Sequence, residues 1–255
     1  MSSQPTLQPT MTVRLCHLYP DLMNIYADRG NIAVFRQRLA WRGYGLEITN
    51  ASVGDSIEAD AHDLYYLGGG QDRDQDLVAD DLAHKAAVLR DAADHGAAQL
   101  YVCGGIQLAG HSYVASNGER LGGVSVLDLE TAAGQTRLIG DLVIEATIEG
   151  TTRQIVGYEN HAGRTTLGPT CTALGKVKTG HGNNDTDGTE GATRDHVIAT
   201  YLHGPLLPKN PWVADTLLVW ALEHRYGAGI ELASLDDALE DRAHAAAVER
   251  AGVTR

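Results

Sequence analysis

Between residues 12 and 115 the chain alternates short β-rich runs with helical stretches, and no other feature narrows its fold as much. TVRLCHLY (12–19) reads as a first strand. Residues 30–43 carry Ile32, Val34, Phe35, Leu39 and Trp41 at near-helical spacing and stop at Gly43. A second strand, YGLEIT (44–49), precedes a short buried one, Leu64–Leu67, which runs into Gly68, Gly69 and Gly70. The spacing predicts a helix over 75–95 with Leu77, Val78, Leu82, Val88 and Leu89 inward, a strand over 97–103, and a helix over 104–115. Such an order implies an α/β, flavodoxin-like, doubly wound and mostly parallel sheet with helices on both faces. Strands apolar on both faces are what that sheet requires.

Beyond residue 120 the texture changes to an antiparallel extension. LIGDLVIEATIEG and TRQIVGYENHAG read as consecutive strands, and the polar, Gly-rich stretch 179–194 as a long loop. Residues 196–204 form a further strand, 211–226 a helix opened by Pro211, and 235–250 an Ala-rich helix. No repeat or linker is visible, so the reading is a disordered tail (1–11) followed by a single domain (12–255).

Charge removes several functions. With 20 Lys and Arg against 33 Asp and Glu, the formal charge is −13, which argues against a nucleic-acid surface. No apolar run approaches the roughly 18 residues of a membrane span, and the first residues lack the basic start and apolar stretch of a secretory signal. Three scattered cysteines, Cys16, Cys103 and Cys171, form neither a disulfide framework nor a zinc pattern, and a reduced, cytoplasmic setting is expected. Residues 55–94 carry a net charge of −8, either as a solvated helix face or as a docking surface for a basic partner.

The chemistry concentrates at Cys103, in Val102-Cys103-Gly104-Gly105-Ile106-Gln107. A cysteine on a sharp strand-to-helix turn presents its sulfur at the carboxyl edge of the sheet, where open α/β sheets bind ligands. The helix that follows favours the thiolate. The alternative is a buried structural cysteine, and that reading fits Cys16 and Cys171. A thiolate needs a base: His203, at the end of VIATYL, is first choice, and His161 second. Gly68-Gly69-Gly70 after a buried strand offers backbone donors for an oxyanion, unless it is only a flexible turn.

These residues carry a resemblance. Leu67-Gly68-Gly69-Gly70-Gln71-Asp72, the Cys103 motif and Tyr201-Leu202-His203-Gly204-Pro205 resemble class I glutamine amidotransferases, in particular the cobyric-acid-synthase-like branch. Four further stretches narrow the likeness: Leu18 to Tyr26, Asp28 to Asn31, Gly157 to Thr165, and Gly180 to Asn184. With them the chain resembles the GatD-type glutaminase subunits of lipid II isoglutaminyl synthase.

That resemblance implies hydrolysis of L-glutamine through a cysteine thioester, with ammonia passed to a MurT-like ATP-dependent ligase. The ligase would amidate the α-carboxylate of D-glutamate in lipid II, and would carry the ATP and Mg; no cofactor is expected on this chain. It implies Cys103 as nucleophile, His203 as base, the Gly69, Gly70 and Gly104 backbones as oxyanion donors, Arg137 against the substrate α-carboxylate, and Gln107 in the glutamine pocket. Two positions depart from the wider class. Pro205 stands where most members carry a Glu that orients the His, a gap shared by the GatD-like branch, whose ligase partner is expected to lend an Asp; Tyr101 stands where many have Gly. Other readings are a corrinoid amidotransferase, a non-catalytic flavodoxin-like subunit, and another elbow-cysteine enzyme such as a protease-like deglycase.

Overall fold

The computed structural model describes residues 10–24, 29–70 and 72–253, with the side chains of 72, 73, 76 and 253 left aside. Most of the expected N-terminal tail (1–9), the stretch 25–28 and Gln71 lie outside the described residues. Met11, expected within the tail, instead packs against the core.

The first half builds the expected layers. Strands β1 (Thr12–Leu18), β2 (Gly45–Ala51), β3 (Leu64–Leu67) and β4 (Ala98–Val102) alternate with helices α1 (Arg29–Trp41), α2 (Asp72–Asp94) and α3 (Gly104–Ala109). Strand β1 is parallel to both β2 and β3, and β3 is parallel to β4, with Leu67 opposite Tyr101. The strand period of two divides the core. Val13, Leu15, Leu64, Tyr66, Leu100 and Val102 face α1 on one side. Cys16, Leu18, Tyr65, Leu67 and Tyr101 face α2 on the other, against Val78, Leu82 and Leu89. Leu77, expected inward, is 55% exposed, because it falls outside the stripe that Val78, Leu82 and Leu89 define.

The helix expected over 104–115 ends at Ala109. Gly110 is extended, and residues Ser112–Val114 form β5, which pairs with β6 (Arg120–Gly122) and runs parallel to β7 (Leu129–Ile148). A Cβ at Gly110 would lie 2.5 Å from Leu129 O, so this backbone is pressed against β7 and cannot continue as a helix. The long hairpin of β7 and β8 (Thr151–Leu167), with β9 (Gly175–Thr179) and β10 (Thr189–Glu190), completes a second, mainly antiparallel sheet. The antiparallel part is therefore mostly a separate sheet. Only β11 (Ala192–Arg194) extends the parallel one, by pairing antiparallel to β12 (Val197–Thr200).

The stretch 179–194 is more ordered than its composition suggests. Besides β10 and β11, its turn is pinned by the buried Glu159 carboxylate, which accepts hydrogen bonds from the His181 and Gly182 amides at 2.7 and 3.0 Å. Helices α4 (Leu206–Lys209), α5 (Pro211–Tyr226) and α6 (Ala238–Val253) close the chain. The acidic stretch is not wholly a solvated face: Asp63 is buried against Arg14 at 2.6 Å, and Asp81 is paired with Lys85 and Tyr19. No helix among the described residues is long and apolar enough to cross a membrane.

Candidate active site

Three neighbouring strands deliver three motifs to one edge. In the order β12-β4-β3, Thr200 lies opposite Val102 and Tyr101 opposite Leu67. Because all three strands run parallel, His203, Cys103 and the Gly68–Gly70 loop leave the sheet at the same carboxyl edge, side by side. The Cys103 amide still donates to Thr200 O at 2.8 Å, so the ladder reaches the turn itself.

Cys103 turns the chain at φ 55° and ψ −110°, where a residue with a Cβ rarely rests. It is 7% exposed. Two glycines make the turn possible. A Cβ at Gly105 would lie 2.6 Å from Leu67 O, and one at Gly104 would lie 3.1 Å from Gly70 N. Elbow and glycine loop thus touch backbone to backbone, and any larger residue would push them apart. The other cysteines are structural: burial raises the Cys16 thiol to about 12, and Cys171 donates to Asp128 O at 2.9 Å. Tyr101, the departure two residues before Cys103, buries its ring and donates to Gln99 Oε1 at 2.6 Å.

His203 is 1% exposed and bridges the two sheets: it exchanges backbone hydrogen bonds with Tyr158 of β8 at 3.0 and 3.1 Å, and its ring meets Tyr158 edge-on. Burial pushes His203 down to about 4, and His161, Lys209 and Arg137 act in the same direction. The imidazole is therefore neutral at pH 7, the form that can take a proton. His161 lies nearby but is engaged elsewhere. It stacks on Tyr201 at 3.5 Å and meets Gly163 O through Nδ1 at 2.9 Å. Glu159, the one acid of that motif, sits 3.5 Å from His161 Nε2 and is bound to the 181–182 amides.

The remaining predicted residues surround this edge. Gln107, on α3, is buried, and Gly163 of β8 closes on it so tightly that a Cβ there would lie 2.5 Å from Gln107 Nε2. Arg137 sits in the bulge of β7 between Ala133 and Leu138. Its guanidinium donates to Asn160 Oδ1 and Asn160 O, each at 2.8 Å, one residue from His161. The structure therefore brings Cys103, His203, Gly69, Gly70, Gly104 and Gln107 to one sheet edge, with Arg137 of the β7 bulge bound to Asn160 of the adjoining β8.

Sequence reasoning missed the supports of that edge. Buried Asn31 donates to Tyr66 Oη at 3.1 Å and accepts from the Leu207 amide at 2.8 Å, tying β3 to the helix after His203. Pro205 packs onto Gly30, where a Cβ would lie 2.7 Å from its ring. Asn210 pairs with both backbone groups of Val156, as a strand would. Buried Glu190 accepts from the Tyr201 amide at 2.7 Å and from Thr200 Oγ1. The signal was present for Gly30-Asn31, which belongs to a stretch singled out above without a role.

A strained elbow cysteine, a glycine loop and a strand-end histidine on a doubly wound sheet are the arrangement expected of a class I amidotransferase. The match to the CobB/CobQ-like glutamine amidotransferase domain covers residues 14–211, and the chain belongs to that family. The lipid II isoglutaminyl synthase (glutamine-hydrolyzing) subunit GatD of Staphylococcus aureus is 39% identical over 92% of this chain and 94% of its own. The GatD subunit of Streptococcus pneumoniae is 36% identical over 89% and 87%. The glutaminase domain of Trypanosoma brucei CTPS, solved with bound acivicin, shares the fold with a TM-score of 0.53 at 11% identity, over 87% of this chain and 98% of that one.

Proposed function

We propose that this chain is the glutaminase subunit of a lipid II isoglutaminyl synthase, and that Cys103 is its nucleophile. The observation that carries the reading is the strained Cys103 turn held between a glycine loop and a neutral, buried histidine on adjacent strands. Support for the particular enzyme is the likeness to GatD subunits over about nine-tenths of the chain. The corrinoid reading has in its favour the shared domain family and a partial, lower-identity likeness to cobyric acid synthases, and a non-catalytic module has no reason to keep a strained cysteine at this edge.

The chemistry follows from the groups present. His203 takes the Cys103 thiol proton, and the sulfur attacks the γ-carboxamide carbon of glutamine. The carbonyl oxygen becomes an oxyanion beside the Gly69, Gly70 and Gly104 amides. Protonated His203 returns its proton to the leaving nitrogen, so ammonia departs and a γ-glutamyl thioester remains. Water, deprotonated by His203, then attacks the thioester carbon, releasing glutamate and the thiol. Arg137 meets the α-carboxylate as a charge-assisted pair, and Gln107 lines the pocket.

Pro205 stands where the wider class carries the Glu that orients the ring, and it is packed on Gly30. A carboxylate that orients the ring therefore comes from the MurT-like ligase partner, which also holds ATP, Mg and lipid II. The complex works in the cytoplasm, the reduced setting that three scattered cysteines suit.

The test reconstitutes amidation of lipid II with the ligase. Glutamine should support it with the wild-type chain and fail with Cys103→Ser, whereas added ammonium salt should restore it in both. Glutamine-driven amidation by Cys103→Ser would overturn the assignment.

A further inference from the structure

The oxyanion donors come from two separate segments, the glycine loop after β3 and the first turn of α3, and something must keep them in register. Gln75, in the first turn of α2, lies at that junction. It is 2% exposed. Its amide nitrogen is 3.4 Å from Gly70 O, and a Cβ added to Gly104 would lie 2.7 Å from the same nitrogen. One side chain thus touches both segments that supply donors. Its Oε1 is buried and, among the described residues, accepts no hydrogen bond. A half-satisfied buried amide costs about 1–3 kcal/mol, so packing alone would favour an apolar side chain of the same shape.

We propose that Gln75 is a positioning residue for the oxyanion site: its carboxamide holds the Gly70 peptide against Gly104, so that the backbone donors of both segments keep their spacing as the tetrahedral intermediate forms. The inference rests on the reading of Cys103 as nucleophile and adds a residue to that machinery. A donor that is slightly misplaced weakens binding of the oxyanion, which exists only along the reaction path, and not binding of glutamine itself. The effect belongs in kcat, with KM little changed.

Two readouts separate this role from a merely structural one. Glutamine turnover passes through an oxyanion, whereas alkylation of Cys103 by iodoacetamide displaces iodide from a saturated carbon and does not. With the full chain and its ligase partner, Gln75→Ala and Gln75→Glu should lower kcat about ten- to a hundredfold, below the full loss of an oxyanion donor. KM and the rate of iodoacetamide alkylation should stay within about twofold, the range of uniform binding. Gln75→Glu keeps the shape but removes the N–H donor, so it should be no better than Gln75→Ala. If Gln75→Ala melts early, Gln75→Met, which keeps the volume, is read in its place.

Wild-type kcat in the Glu and Met variants would overturn the proposal, and so would a parallel fall in turnover and alkylation. Should Cys103→Ser itself retain turnover, the reading of the nucleophile has failed. Should Cys103→Ser be inactive while the Gln75 variants turn over normally, only this inference has failed.

Discussion

His203 concentrates the chemistry of the site in one ring. Burial keeps it neutral, and the cationic side chains around it oppose protonation further. His161 occupies the same wall, yet its ring is committed to Tyr201 and Gly163. His203→Ala should therefore cut glutamine hydrolysis by about 10²–10⁴-fold, the usual cost of a lost general base. His161→Ala should lose much less activity and more thermal stability. The reverse ranking in steady-state assays would mean that the base is misassigned. Arg137 behaves differently, because it is exposed and, among the described residues, hydrogen-bonded to Asn160 alone. Arg137→Ala should raise KM for glutamine about ten- to a hundredfold, through loss of a charge-assisted contact, with an almost unchanged melting temperature. An unchanged KM would take Arg137 out of the pocket. Cys103, His203 and the glycines were legible in sequence because each sits where a strand ends in a residue type that only a tight turn explains. Asn31, Asn210 and Glu190 were not, since a buried polar residue looks like any exposed one until its long-range partners are known.

Among the elements, the carboxyl edge of β12 depends on a carboxyl group rather than on apolar packing. Glu190 is fully buried, and burial raises it to about 8 against the hydrogen bonds from Tyr201 and Thr200 and beside Glu159. The sign follows from proton counting. Between its ordinary value of 4.5 and about 8, the folded chain holds a proton that the unfolded chain has released. Stability from Glu190 is thus full at the acid end of that window and falls as pH rises through it. His17 and His203, both lowered to about 4, act the other way between that value and 6.5. Glu190→Gln keeps an acceptor for the Tyr201 amide and removes the titration. Melting curves from pH 6.5 to 8 should fall for the wild type and flatten for the variant; equal slopes would rule out this role. The strands and most helices were legible from periodicity. The early end of α3 was not, because it is set by the approach of Leu129, nineteen positions beyond Gly110. The order within 179–194 was hidden for the same reason: Glu159, on another strand, supplies it.

In the molecule as a whole, the His203 motif lacks the Glu that the wider class carries two residues on, with Pro205 in its place. That proline is packed on Gly30. The chain alone should be a slow glutaminase, since an imidazole without an orienting carboxylate readily takes the wrong tautomer. Titrating in the ligase partner should raise kcat saturably. It should also move the acidic limb of the pH profile upward from near 4, because a carboxylate beside His203 favours its charged form. Full activity without the partner, or a limb that does not move, would show that the orienting group is internal.

The central claim is that glutamine is opened by Cys103 through a covalent thioester. Rapid acid quenching of the complex during turnover, followed by peptide mass analysis, tests it directly. A γ-glutamyl group should appear on the peptide carrying Cys103, and neither adduct nor turnover should be seen with Cys103→Ser. Turnover with the adduct on another residue, or turnover by Cys103→Ser, would contradict it.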